Sequence, residues 1–311
     1  MKTPIINLNQ VGGNNLFVKR EDLMPFSFGG NKYRIAQEIF EDIEKTQKDL
    51  MIGYGNARSN MCRVLANIAF SKNIPCYIVS PFDEDDLIIK TFNSYLVDDC
   101  KAKIIHCSKE NVYETISSLL ENCKKEGYKP YYLYGTAKGK GNETILAKAY
   151  TKVFNEIMVQ ENDMNTKFDY IFLAAGTGMT YSGLALEKIR QNSSVKLVGI
   201  SISRNNKKCY EVLNDYLSVY GISNINVENV IDFSDEYLCG GYGKYDEHIK
   251  QMINYSMKKW GMPLDPTYTG KAFYGMLSYL KKHDIKNKNV LFLHTGGTPL
   301  FFDYLEDLKN E

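Results

Sequence analysis

At 311 residues and 44% hydrophobic content, the chain can bury a full core, as two domains or as one large α/β unit. Its 38 basic and 37 acidic residues leave a net charge of +1, so bulk electrostatics give no reason to expect a nucleic-acid or membrane partner. Seven scattered cysteines without a C-x-x-C pair argue against a disulfide frame and against a metal site, and the chain reads as a soluble cytoplasmic protein with no secretory leader and no membrane-length apolar run.

Residues 16–19 form a short apolar run that breaks at Arg20-Glu21-Asp22, which predicts a strand ending in a charged turn. Phe28-Gly29-Gly30-Asn31-Lys32-Tyr33-Arg34 follows, directly ahead of a helical run at 35–45. Two glycines beside a lysine at a helix start suggest that something approaches the backbone closely while the amine is held in a fixed place. Taken alone, the stretch is more simply a turn before a helix. A buried strand at 49–55 breaks at glycines and leads through Ser59-Asn60 into a helix at 61–71. Strands at 76–80 and 102–106 then alternate with helices at 84–97 and 111–126, the rhythm of a parallel sheet covered by helices.

A further strand is expected at 131–134, and the polar, glycine-rich segment 138–142 suggests a domain crossing. The helix at 143–159 leads to a strong strand at 170–175, which runs into Gly176-Thr177-Gly178-Met179-Thr180 and a helix through Arg190. A strand at 197–202 and a helix at 209–220 come next, and residues 237–245 are a glycine- and tyrosine-rich loop. Helices at 247–260 and 271–283 bracket the loop Asp265-Pro266-Thr267-Tyr268-Thr269-Gly270. The last strand, 290–294, closes on Thr295-Gly296-Gly297-Thr298-Pro299.

The loop at 176–180 could cradle a phosphate, because its backbone N–H groups and two threonine hydroxyls lie at the positive end of a helix. It lacks the third glycine of a dinucleotide fingerprint and no Gly-Lys-Ser/Thr follows, so a dehydrogenase is motivated by the glycines alone. Ser59-Asn60 is explained adequately by helix capping; the functional alternative is that Asn60 bonds a cofactor oxygen while Ser59 faces substrate. Tyr242 and Tyr268 stand in glycine- or proline-bounded loops of a chain with 23 tyrosines. His294 is expected to be structural. No carboxylate pair, metal-ligand cluster or Gly-x-Ser-x-Gly elbow supports a hydrolase or metalloenzyme.

Seven stretches together resemble one family in order. They are Phe17 to Leu23, Gly29 to Arg34, Ser59-Asn60 with Arg63, Gly176 to Gly178, Gly241-Tyr242-Gly243, Asp265 to Lys271, and His294 to Gly297. The chain is similar in these to the D-cysteine desulfhydrase and aminocyclopropane-carboxylate deaminase family, pyridoxal-phosphate enzymes of the tryptophan-synthase β fold (PLP fold type II). The resemblance implies two open, mainly parallel twisted sheets flanked by helices. It also implies a large cofactor domain of residues 1–34 and 136–311, with a small α/β domain, 35–135, inserted in it, and a homodimer. Lys32 would hold pyridoxal 5'-phosphate as a Schiff base and later serve as base at the α-carbon. Asn60 would bond the ring hydroxyl, Gly176, Thr177, Gly178, Met179 and Thr180 the phosphate, and Thr269 would face the pyridine nitrogen, with Thr295 nearby. Ser59, Tyr242 and Tyr268 would line the substrate side. Deaminase members carry glutamate where this chain has Thr269, and desulfhydrase members share threonine there and the His-Thr-Gly-Gly loop. The expected reaction is therefore β-elimination on a small amino acid, most simply D-cysteine to pyruvate, sulfide and ammonia. Alternatives are an aminocyclopropane-carboxylate deaminase, a lyase for another β-substituted amino acid (serine, cysteate or diaminopropionate), and a non-catalytic binder of the cofactor. Ile35 stands where the family carries a second lysine, Met61 where it carries a polar residue, and 134–142 departs from the family's Gly-rich Ser-Asn pattern.

Overall fold

The computed structural model describes residues 1–82, 90–223 and 225–310. In chain order the elements are β1 (Ile5–Val11), β2 (Asn14–Arg20), α1 (Asn31–Lys45), β3 (Leu50–Tyr54), α2 (Asn60–Ser71), β4 (Cys76–Phe82) and α3 (Phe92–Asp99). They continue as β5 (Lys103–Ser108), α4 (Val112–Lys125), β6 (Pro130–Tyr132), α5 (Glu143–Asp163), β7 (Tyr170–Ala175), α6 (Met179–Arg190), β8 (Lys196–Ser201) and α7 (Asn206–Ser218). The chain ends with β9 (Ile231–Ser234), α8 (Glu247–Trp260), α9 (Thr269–Lys282), β10 (Asn289–His294) and α10 (Thr298–Asn310). It divides into two compact units, Met1–Asn31 with Ala147–Glu311, and Lys32–Leu146.

The first unit is built on a six-stranded sheet in the order β1-β2-β10-β7-β8-β9. β10 reads Val290-Leu291-Phe292-Leu293, every residue buried, because parallel neighbours flank it on both edges and helices cover the sheet. Its Phe292 meets Phe273 of α9 edge-on at 5.0 Å between ring centroids, inside a core that also takes Val18, Phe172, Ile249 and Ile253. Among the described strands, only β1 and β2 pair antiparallel. The sequence Ile-Ile-Asn-Leu-Asn-Gln-Val of β1 buries one residue of seven, which suits an edge strand and hides it from a search for apolar runs.

The second unit carries a four-stranded parallel sheet in the order β5-β4-β3-β6. Strands are added outward from β3 to β5, and β6 then returns to the other edge of β3. The order therefore reverses between β3 and β6, and a crevice opens beyond the carboxyl ends of such a pair. Tyr54 ends β3 there, edge-on to Tyr134 just past β6 at 6.0 Å.

The fold class matches the expectation, with two open, mainly parallel sheets and covering helices. Periodicity misses β1, β9 and α10. The helix expected at 84–97 begins at Phe92, and its portion at 84–89 lies outside the described residues. The helix expected from 271 starts at Thr269, because Asp265 upstream supplies the cap that extends it.

Candidate functional site

In the first unit, the segment before the lysine is clamped by the protein itself. Gly29 and Gly30 have φ of 64° and 92°. The Gly30 amide donates to the Glu21 carbonyl at 2.8 Å and the Asn31 amide to the Thr295 carbonyl at 3.0 Å. A Cβ on Gly30 would lie 2.8 Å from the Thr295 carbonyl oxygen, and one on Gly296 would lie 2.7 Å from the Gly30 Cα. The close approach that the paired glycines suggested is thus made by the Thr295-Gly296 turn. His294 fixes that turn with both ring nitrogens: Nε2 donates to the Pro263 carbonyl at 2.8 Å, and Nδ1 accepts from the Gly296 amide at 3.3 Å. This is a structural histidine, wholly buried.

Asn31 then reaches the glycine loop. Its Nδ2 donates to the Thr180 hydroxyl at 2.8 Å. Gly178, at φ 107°, is the N-cap of α6 and offers no side-chain cap, so the first-turn amides of the helix have no side-chain acceptor from the cap position. A Cβ at Gly178 would lie 2.5 Å from Val212 Cγ1. Thr177 is exposed, while Met179 and Thr180 are buried. Arg204, which the motifs did not single out, donates from Nη1 to the Gly176 carbonyl at 2.9 Å and steadies the loop from behind.

The tyrosine loops converge within the same unit. The hydroxyls of Tyr242 and Tyr268 are 2.5 Å apart and their rings meet edge-on at 5.8 Å. Tyr268 is set by Asp265, whose carboxylate accepts the amides of Thr267 (2.9 Å), Tyr268 (2.8 Å) and Thr269 (3.1 Å) and the Thr269 hydroxyl (2.7 Å). Burial raises the Asp265 carboxyl above its ordinary value, and these donors act against that shift. The Thr269 oxygen also accepts the Asp265 amide at 2.8 Å. Its single proton is therefore committed to Asp265, and the side chain is wholly buried. Thr295, 8% exposed, keeps a hydroxyl with no partner among the described residues.

In the second unit, Lys32 occupies the first turn of α1, and burial pushes its ammonium down to about 8. Ser59 caps α2: its oxygen accepts the Cys62 amide at 3.2 Å, which leaves the hydroxyl proton for another acceptor. Burial drives the Cys62 thiol up to about 12, so it is no nucleophile. Asn60 begins α2, and its Oδ1 accepts from Asn93 Nδ2 at 3.0 Å. Asn93 is wholly buried, donates as well to the Arg58 carbonyl at 3.2 Å, and accepts from Arg63 Nη1 at 3.3 Å. Arg63 and Asn93 therefore orient the Asn60 amide so that its Nδ2 is left to donate elsewhere. Asn93 carries no sequence signal, since a lone asparagine thirty-three residues from its partner is visible only in the fold. Among the described residues no group of three or more His, Cys, Asp or Glu could hold a metal, and no helix is long and apolar enough to cross a membrane.

Comparison with known proteins gives a consistent result. The profile of the family described as pyridoxal-phosphate dependent enzyme matches residues 1–296. A Pyrococcus abyssi protein provisionally named 1-aminocyclopropane-1-carboxylate deaminase is 30% identical over 99% of this chain and 92% of its own. The D-cysteine desulfhydrase of Yersinia enterocolitica is 25% identical over 97% of this chain and 93% of its own. The crystal structure of an ACC deaminase homologue superposes with a TM-score of 0.84 at 27% identity, covering 100% of this chain and 94% of that one.

Proposed function

The chain belongs to the pyridoxal-phosphate dependent enzyme family and is a lyase that uses this cofactor; we propose that it catalyses β-elimination on a small amino acid, most simply D-cysteine. Water would be consumed and pyruvate, hydrogen sulfide and ammonia released. The observation that carries the reading is Asn31, which bonds Thr180 in the glycine loop and is followed in the chain by Lys32. The residues present fit the cofactor. An uncapped helix start with positive-φ Gly178 and the Thr177 and Thr180 hydroxyls suits a phosphate dianion, and the Asn60 Nδ2 suits the ring hydroxyl.

When bound, pyridoxal phosphate supplies an electron sink for the pair left on the substrate α-carbon. The chain's own residues are assigned the remaining tasks. Lys32, with its ammonium lowered to about 8, has roughly a tenth of its amines unprotonated at pH 7, against far fewer than one in a hundred for an exposed lysine. It binds the cofactor and, once displaced, takes the α-proton. Ser59 directs its hydroxyl proton to the substrate carboxylate. Tyr242 and Tyr268 share one short hydrogen bond and together can hand a proton to the departing sulfur. Thr295 offers the hydroxyl that Thr269 has committed to Asp265. A neutral hydroxyl rather than a carboxylate at this place supports elimination of a good leaving group over opening of an unactivated ring.

The reading includes a large cofactor-binding domain of residues 1–34 and 136–311 with 35–135 inserted, a cytoplasmic setting and a homodimer; the first is supported by the division of the chain into two units near these limits, the others by the resemblance alone. Light scattering that gives the mass of one chain would remove the dimer. The deciding assay offers D-cysteine, 1-aminocyclopropane-1-carboxylate and β-substituted amino acids to cofactor-loaded protein. Sulfide and pyruvate from D-cysteine are expected. Oxobutyrate from the cyclopropane substrate alone would move the assignment to the deaminase, and no turnover of any of them by coloured protein would leave a binder of the cofactor.

A further inference from the structure

Lys271 takes no part in the chemistry assigned so far. It lies on α9 three residues after Tyr268, is wholly buried, and pairs with no carboxylate among the described residues. Its ammonium donates to the carbonyls of Gly241 at 2.6 Å and Leu238 at 2.7 Å, and more distantly to that of Ile202 at 3.4 Å. A buried ammonium has three protons to satisfy, and here they go to backbone. The backbone is shaped to receive them. Cys239, Gly240 and Gly241 are consecutive left-handed residues, with φ of 50°, 88° and 121°. Cys239 has no glycine-like freedom there, so the turn needs something to hold it.

The next residue in the chain is Tyr242, whose hydroxyl sits 2.5 Å from that of Tyr268. One helix start thus carries the partner tyrosine and, one turn on, the cation that gathers the other tyrosine's loop. We propose that Lys271 is a positioning residue that sets the Tyr242 hydroxyl against Tyr268 by anchoring the 238–241 turn. The proposal rests on the reading that this tyrosine pair handles a proton in the elimination. Burial lowers the Lys271 ammonium to about 8, and the more distant charges of Cys239, Asp265 and Asp246 act against that shift.

The test compares cofactor-loaded wild type with K271M, which keeps the length of the chain without its charge, and K271R, which keeps the charge. In K271M, amide exchange across 238–243 should quicken about tenfold or more while that of α6 and β10 is unchanged, and kcat on D-cysteine should fall at least about tenfold with KM within about threefold. The cofactor absorbance should not change, and K271R should recover part of kcat. In a Y242F background, K271M should cost less than about twofold, because its effect passes through Tyr242. Unchanged exchange across 238–243, faster exchange throughout the chain, or an undiminished cost in Y242F would each overturn the proposal. If the wild type turns over no amino acid, the lyase reading fails, and the exchange comparison still decides the role of Lys271.

Discussion

The lowered ammonium of Lys32 is an effect of burial, and burial leaves a signature in pH. Its ammonium sits at about 8 in the folded chain against an ordinary 10.5. Below pH 8 both folded and unfolded chains carry the proton, and the cost of burying the charge is present in full. Between pH 8 and 10.5 the unfolded chain binds more protons, so the cofactor-free protein gains stability as pH rises through this window. Urea midpoints at pH 7.5 and 9.5 should show that slope flattened in Lys32→Met relative to wild type. The capture of added pyridoxal phosphate should quicken with pH to a midpoint near 8, read from the growth of visible absorbance, and Lys32→Ala should show no such band. Asn93 acts at the same scale with no charge at all. Asn93→Ala removes the donor that fixes Asn60 and leaves Arg63 short of an acceptor, so kcat/KM should fall about tenfold, the worth of one buried hydrogen bond, with Lys32 still capturing cofactor. A loss no larger than that of a surface alanine would remove Asn93 from the site.

At the scale of elements, the turns matter more than the helices they open. Gly30 meets the Thr295 carbonyl so closely that Gly30→Ala must displace the loop or the helix start, at about 2–4 kcal/mol from the clash and the positive φ together. Calorimetry should find the loss, and Gly12→Ala, at a positive φ with nothing within 4 Å, should cost markedly less. These turns also mark what could be read in advance. The Gly-Gly-Asn-Lys and Gly-Thr-Gly stretches stood out because glycine clusters are rare and punctuate regular elements. Their purpose was less legible, since the backbone that crowds Gly30 comes from the far end of the chain. Likewise, Thr269 could be located from its motif, but its hydroxyl's commitment to Asp265 follows from the way the first turn of α9 is capped, a matter of local geometry rather than spacing.

For the whole molecule, alternating apolar runs and helical periods were sufficient to identify a parallel sheet covered by helices, because buried central strands such as β10 must be apolar through their middle, whereas the division into two sheets came from the family resemblance. The edge strand β1 escaped for the converse reason, and β9 because its four residues are too few to show a period. The candidate site stood out in the sequence as motifs and much less as connections: Arg204, Asn93 and the cage of carbonyls around Lys271 each join segments distant in sequence. Cofactor binding should stabilise the whole fold by about 2.7 kcal/mol at a hundredfold excess over its dissociation constant, a shift of several degrees in melting temperature that Lys32→Ala and Gly178→Ala should each diminish. The division of the chain has one more consequence. The bond between Asn31 and Lys32 is also the boundary between the two compact units, and the second unit ends at Leu146. The residue that touches the glycine loop and the residue that bears the amine therefore fall on opposite sides of a natural splice point. The segment from Lys32 to Leu146, with Ser59, Asn60 and the Asn93 that supports Asn60, is a contiguous cassette that recombination could exchange in one piece, while the glycine loop and both tyrosines stay with the recipient.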